Sequence, residues 1–290
     1  MRKRLIYRAD DVGYTQAFND GAFRAMDEGI VTSADIMLDT PGTVDALERI
    51  RNYPWISVGW HRHLWGVPVA GAENVPSMVN AEGRFKGRHD GSLSDTTTYE
   101  DAYREFVAEV ELCISILGRA PDTTMIRSTM PIDVAFKDVC DKYGIAYNYW
   151  KTAGMFPATL DIKCPRDFSN LNFRPKSMRD TMDNSVYYDL AAFKNYDAEG
   201  LLMDVEWSDD TEIRFVGGHP GYLDEYILAE SSCSIHRVKE LAACISPRVK
   251  QWIIDNKIEL INQRDLLNGT NEFQNHLRNI DSPLSIDKFK

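Results

Sequence analysis

The stretch at residues 4–11, RLIYRADD, decides how the fold is read. It begins as a short strand (residues 4–9) that starts almost at the first residue, and it runs straight into two carboxylates, Asp10 and Asp11. Working outward, Thr15 caps a helix that continues to about Glu28, with Gly29 as its stop. Residues 33–38 (SADIML) read as a second strand, residues 43–51 as a second helix ending before Pro54, and residues 56–64 (ISVGWHRHL) as a third strand. Strand, helix, strand, helix, strand at this spacing implies a parallel sheet with right-handed crossovers. Residues 65–98 break the alternation and are rich in Gly, Pro, Ser and Asn, which marks a long excursion of the kind that often carries function. Tyr99–Leu117 is the clearest helix: Tyr99, Tyr103, Phe106, Val110, Cys113 and Leu117 make one apolar face, and Gly118 stops it. Further strands are expected at 124–127, 145–150, 212–216 and 258–261, and further helices at 133–143, 236–245 and 247–256. About seven parallel strands with helices between them predict an α/β fold, a distorted, TIM-barrel-like (β/α) barrel. It is read as one domain over residues 1–290, with excursions at about 65–98 and 151–199. A doubly wound open sheet is the alternative.

Composition narrows the function. The 290 residues carry 44 Asp+Glu against 33 Lys+Arg, a formal charge of −11, with 43% hydrophobic residues. That is an ordinary globular balance, and its acidic excess argues against a general nucleic-acid binder. No apolar run approaches the roughly 20 residues of a membrane span, and the apolar stretch near the start is too short for a signal peptide. The expected location is the cytoplasm, with neither nucleic acid nor membrane as partner. The five cysteines (113, 140, 164, 233 and 244) are odd in number, scattered and without a C-x-x-C pair, so they read as small buried hydrophobes.

In parallel α/β folds ligands sit at the C-terminal ends of the strands, which selects three clusters. Asp10-Asp11 ends the first strand; two adjacent carboxylates repel unless something positive lies between them, and a divalent ion is the usual solution. The ordinary alternative is one capping and one solvated aspartate. His61 and His63 lie two apart on the third strand, so both imidazoles face one side and, with an aspartate, supply an open nitrogen/oxygen site, while Arg62 points the other way. His219, in Gly217-Gly218-His219-Pro220-Gly221, suits acid–base work near neutral pH, although Gly and Pro also mark plain turns. Trp60, Trp65, Tyr222 and Tyr226 lie nearby in sequence and offer faces for sugar rings, or else pack in the core or across a homodimer. His89, His236 and His276 lack such context and are expected on the surface or on helices.

With these residues in place the chain resembles the YdjC-like, or ChbG/HpnK, carbohydrate deacetylase family. Residues 5–14 (LIYRADDVGY) resemble its ADD-[FLV]-G-Y opening, and Val31-Thr32-Ser33 and Val58-Gly59-Trp60-His61 follow in order. So do Val75-Pro76-Ser77-Met78-Val79 with Gly83 and Phe85, then His219-Pro220-Gly221-Tyr222, Arg237-x-x-Glu240-Leu241, Ser246-Pro247 and Ile258-Glu259-Leu260-Ile261-Asn262. The resemblance implies a distorted barrel that removes N-acetyl groups from an amino sugar or oligosaccharide, using a magnesium or zinc ion held by one aspartate and two histidines. Asp11 then matches the metal aspartate, Asp10 the general base, His61 the first metal histidine, and His219 a general acid or substrate contact. The family's second metal histidine follows a proline in a D-S-H or E-G-H triplet; counting from Pro121, this chain has Met125-Ile126-Arg127 instead. A guanidinium cannot ligate an ion. Either His63 completes the ligand set, or the ion is lost and Arg127 pairs with Asp10-Asp11, leaving a non-catalytic carbohydrate-binding or regulatory protein. In a third reading Arg127 holds an anionic substrate such as a sugar phosphate.

Overall fold

The computed structural model describes residues 3–86, 96–126, 130–149, 172–173, 190–204, 213–231 and 233–289. Among the described residues, parallel strands build a single sheet: β1 (Arg4–Val12), β2 (Ser33–Ile36), β3 (Ser57–Trp60), β4 (Thr123–Ile126), β5 (Ala146–Tyr149), β6 (Asn172–Phe173), β7 (Ile213–Gly218) and β8 (Glu259–Leu260). Their order is β5-β4-β3-β2-β1-β7-β6, curled into a half-barrel, with β8 pairing β1. β7 occupies one edge of β1 from Arg4 to Ala9. The other edge is shared end to end: Ile261 N–H donates to Leu5 O at 3.0 Å, and Thr32 N–H to Tyr7 O at 2.9 Å. The barrel-like α/β class expected from the alternation is the observed one. β1, flanked by three strands, is its centre and is buried almost throughout.

The helices start and stop where side-chain chemistry directs. α1 (Gln16–Glu28) begins with Thr15 accepting from Phe18 N–H, and α2 is Thr43–Ile50. α3 (Tyr99–Leu117) begins with Thr98 accepting from Asp101 N–H and ends at Gly118; α4 (Pro131–Tyr143) carries its proline in the first turn, where no N–H is needed. The remaining helices are α5 (Leu190–Asn195), α6 (Ala198–Met203), α7 (Glu225–Glu230), α8 (Arg237–Ile245), α9 (Pro247–Asp255), α10 (Gln263–Asn268) and α11 (Glu272–Asn279). No helix among the described residues is long and apolar enough to cross a membrane.

α3 buries its expected apolar face, with Phe106, Val110 and Cys113 in the core and Tyr99, Tyr103 and Leu117 packed against it, and it buries carboxylates as well. Asp101, Glu105 and Glu109, four residues apart, are buried beside Phe106 and Val110. Asp101 and Glu105 hold the excursion after β3 in place, and Glu109 holds the end of β3 itself. Asp101 accepts from Ser77 N–H at 2.8 Å, Glu105 from Val69 and Ala70 N–H at 2.8 and 3.0 Å, and Glu109 from Trp60 Nε1 at 2.8 Å. An irregular segment needs partners for its backbone donors, and a helix face of acceptors supplies them. Burial pushes the Glu105 carboxyl up to about 7 and that of Glu109 well above its usual range. A carboxyl raised in the folded state binds its proton more tightly there than in the unfolded chain. Stability therefore falls as pH rises through the window from the ordinary value, about 4.5, to about 7. The unfolding free energy of the metal-free protein is expected to drop across that window, by at most about 1.4 kcal/mol per pH unit for one group. Glu105→Gln is expected to flatten the profile; an equally steep profile in that variant would assign the slope elsewhere.

Candidate metal centre

β1 delivers both aspartates to one place, although neighbours on a strand normally point to opposite faces. Ala9 pairs with Ala34 and Val12 with Ile36, so two residues of β1 stand opposite one of β2. At this bulge Asp11 adopts a φ of 62°, a backbone that non-glycine residues rarely take, and the strand end is re-aimed. Arginines relieve the repulsion between the two carboxylates. Arg8, on the same face of β1 as Asp10, grips it through Nε at 2.5 Å and Nη2 at 3.0 Å, and reaches Asp35 of β2 through Nη1 at 2.9 Å. Arg237 of α8 places Nη2 2.7 Å from Asp11 Oδ2. Burial alone raises both carboxyls; the Arg8 charge brings Asp10 below the ordinary carboxylate range, and the Arg237 charge brings Asp11 well below it. The positive partner expected between the aspartates is thus, in part, the protein's own. Asp10, Asp11 and Asp35 still outnumber Arg8 and Arg237, so negative charge is left over.

That charge faces the two histidines. His61 Nε2 lies 2.9 Å and His63 Nε2 3.4 Å from Asp11 Oδ1, and the two Nε2 atoms are 2.6 Å apart. β3 stops at Trp60, so the imidazoles meet through a loop and not through strand alternation as expected. Leu64 turns that loop with a φ of 58°. Asp39 then fixes it, accepting from Trp65 and Gly66 N–H at 2.6 and 3.0 Å. Asp11 Oδ1 is buried and accepts no aligned hydrogen bond. Three donor atoms converging on one point, one of them an orphaned buried oxygen, fit a divalent cation. Asp10, Asp35 and His61 form a second group within ligand reach, but Arg8 already bridges its carboxylates. Asp35 Oδ2 instead lies 3.5 Å from His61 Nδ1, where a carboxylate orients a ligating imidazole. Gly59 leaves room for it: a Cβ there would fall 1.8 Å from Asp35 Oδ1. Burial opposes charge on His61, yet nearby Asp11 and Asp35 carry its pKa above the ordinary value.

His219 follows β7, and because Ala9 pairs with Gly218 it stands level with Asp10. Glu240 of α8, fully buried, accepts from the His219 backbone N–H and lies 3.4 Å from Nδ1. Burial works against the imidazolium, but Cys233, Asp11 and Glu240 around it raise its pKa well above the ordinary value. Cys113, Cys140 and Cys244 are the free, buried thiols the sequence predicts. Cys233 differs: burial raises its pKa, but His219 and Arg237 outweigh burial and bring it below the ordinary value.

The aromatic expectations divide. Trp60 is 1% exposed and packs on Phe106 and Phe136 with centroids 5.7 and 4.4 Å away. Its Nε1 donates to the buried Glu109, so it is a core residue and not a substrate contact. Trp65 stays at the centre, its ring 4.4 Å from His63 and 5.4 Å from Tyr14, and Tyr226 meets Tyr14 edge-on at 5.8 Å. Tyr222 is 36% exposed, and its hydroxyl accepts from Arg24 of α1 at 3.0 Å. Arg62 turns away as predicted, to Asp133 at 2.5 Å. His236 is not a surface residue; it is 2% exposed, edge-on to Tyr196, while His276 on α11 stacks on Trp55. Arg127, His89 and Cys164 lie outside the described residues, and so does the pairing expected of Arg127. Sequence reasoning gave no role to Arg8, Asp35, Arg237 or Glu240. Two signals were present: Arg8 and Asp10 share a strand face, and Arg237 and Glu240 stand three apart on a helix.

A half-barrel of parallel strands with buried aspartates and part-buried histidines at its C-terminal rim defines an α/β-barrel protein with a candidate metal centre. The chain belongs to the YdjC-like family, whose model matches residues 4–255. It is 26% identical over 269 residues to carbohydrate deacetylase 2 of Listeria innocua, covering 91% of this chain and 98% of that protein. It is 30% identical over 267 residues to the carbohydrate deacetylase of Clostridium beijerinckii, covering 91% and 100%. A crystal structure from Enterococcus faecalis V583, described as a candidate cellobiose-phosphate cleavage protein, shares the fold with a TM-score of 0.68 and 22% identity, over 92% of this chain and 100% of that one.

Proposed function

We propose that this protein is a metal-dependent carbohydrate deacetylase that hydrolyses the N-acetyl group of an amino sugar or oligosaccharide. The observation that carries the reading is the convergence of Asp11, His61 and His63 beside Asp10 and His219, in a chain whose relatives are named carbohydrate deacetylases. Asp11, His61 and His63 hold the divalent ion, magnesium or zinc. When bound it supplies Lewis acidity toward the acetyl carbonyl. Asp10, kept anionic by Arg8, accepts the proton of the attacking water. The water oxygen bonds to the carbonyl carbon, the C–N bond breaks, and His219, kept protonated by its acidic surroundings, donates a proton to the leaving nitrogen. Acetate and a free amine result. Trp65, beside His63, offers its face to a sugar ring, with Tyr222 and Arg127 as further substrate contacts.

The test is acetate release from a panel of N-acetylated mono- and oligosaccharides, with magnesium or zinc added. Release of one acetate per new amine, stopped by a chelator and restored by the ion, is expected. A wild type that binds no divalent ion and releases no acetate would replace this reading with that of a carbohydrate-binding protein.

A further inference from the structure

We propose that Arg237 is the positioning residue that makes Asp11 a one-oxygen ligand: it occupies Oδ2 and leaves Oδ1 alone to face His61 and His63. This rests on reading Asp11, His61 and His63 as a metal centre. A carboxylate has two equivalent oxygens, and free rotation would let either, or both, reach an ion. Here they are unequal. Oδ2 lies 2.7 Å from Arg237 Nη2, while Oδ1 is the buried oxygen without an aligned hydrogen bond.

Arg237 is built to stay where it is. It is 0% exposed, the least accessible arginine of the site. Its Nε donates to the Cys233 carbonyl at 2.6 Å, and Nη2 also reaches Ser231 Oγ at 3.3 Å. The rings of Phe18 and Tyr14 stand 4.9 and 5.5 Å from its guanidinium carbon. A planar fork held at Nε and flanked by two rings fixes the direction of Nη2; a lysine, with a single point charge on a flexible stem, does not. The same face of α8 carries Glu240, three residues on, which holds His219. One helix thereby sets the orientation of a metal ligand and of the proposed acid.

Cobalt(II) in place of the native ion reads the number of ligands directly, because its visible absorption weakens as coordination rises from four to five or six. Wild type, Arg237→Met and Arg237→Lys are compared at full cobalt occupancy, set by metal analysis, with the fold checked by circular dichroism. In Arg237→Met the freed Oδ2 joins the ion, so absorbance per bound cobalt is expected to fall by about twofold or more. Arg237→Lys, which keeps the charge and loses the fork, is expected to lie between, and it decides the matter should the methionine variant not fold. Spectra identical to wild type at equal occupancy, in whichever variants fold, would overturn the positioning role. So would folded variants that have lost cobalt altogether, since Arg237 would then act on the whole site and not on one oxygen. A wild type that takes up no cobalt fails at the earlier step, the metal centre itself.

Discussion

Asp10→Asn is expected to lower the rate of acetate release by about 10²- to 10⁴-fold while leaving bound metal unchanged. The two halves of that expectation come from different parts of the site. Asp10 is not among the converging donors Asp11, His61 and His63. Its oxygens are taken by Arg8, at 2.5 and 3.0 Å, so it is a charged group held beside the centre. Asparagine keeps the shape and one acceptor for Arg8 but has no basicity, so the loss should appear in kcat with little change in KM. Two measurements on the same preparation settle it: metal content, and acetate release at saturating substrate. Metal lost together with activity would make Asp10 a structural or ligand residue. Full activity in the variant would end the role of Asp10 as base.

How much of this was legible follows from how local each signal is. The alternation of strands and helices, the caps at Thr15 and Gly118, and the placement of Asp10, Asp11, His61 and His219 at strand ends are properties of short windows, and they recur in the structure. The bulge at Asp11 is different. It depends on how β2 pairs with β1, which no window of β1 contains, and it is what turns two neighbouring carboxylates toward one point. The roles of Arg237 and Glu240 depend on α8 packing against the ends of β1 and β7, more than 200 and 20 positions away along the chain respectively. The misreading of Trp60 has the opposite origin. Trp60 is the last residue of β3 and its ring packs against Phe106 and Phe136 with Nε1 on Glu109, while the chain leaves the strand at His61, so adjacency in sequence does not bring the ring to the site. The apolar face of α3 is found at the expected spacing; the carboxylates interleaved with it matter only because an irregular loop needs acceptors there.

His61→Ala and His63→Ala are each expected to weaken divalent-ion binding by at least about 100-fold and to remove the thermal stabilisation that the ion gives the wild type. Catalytic sites of this type keep three protein ligands, and either change leaves two. For His61 the family pattern alone leads to the same expectation. For His63 it does not, because the resemblance puts the second metal histidine at the position that Arg127 holds here, so the donor must come from elsewhere if an ion is bound. On the proposed reading the loop after β3 supplies it. Leu64, with its φ of 58°, turns the chain directly after His63, and Asp39 anchors the next two residues. Trp65 packs its ring against the imidazole at 4.4 Å, and Nε2 is thereby held 3.4 Å from the orphaned oxygen of Asp11. On that reading a donor moved from sequence position 127 to a braced loop two residues beyond His61 preserves the donor count without preserving the motif. The ion-induced rise in unfolding temperature, measured for wild type and both variants at several ion concentrations, is the decisive reading. If His63→Ala keeps the wild-type shift, the third donor is not His63, and the relocation fails while the pairing of Asp11 with His61 stands.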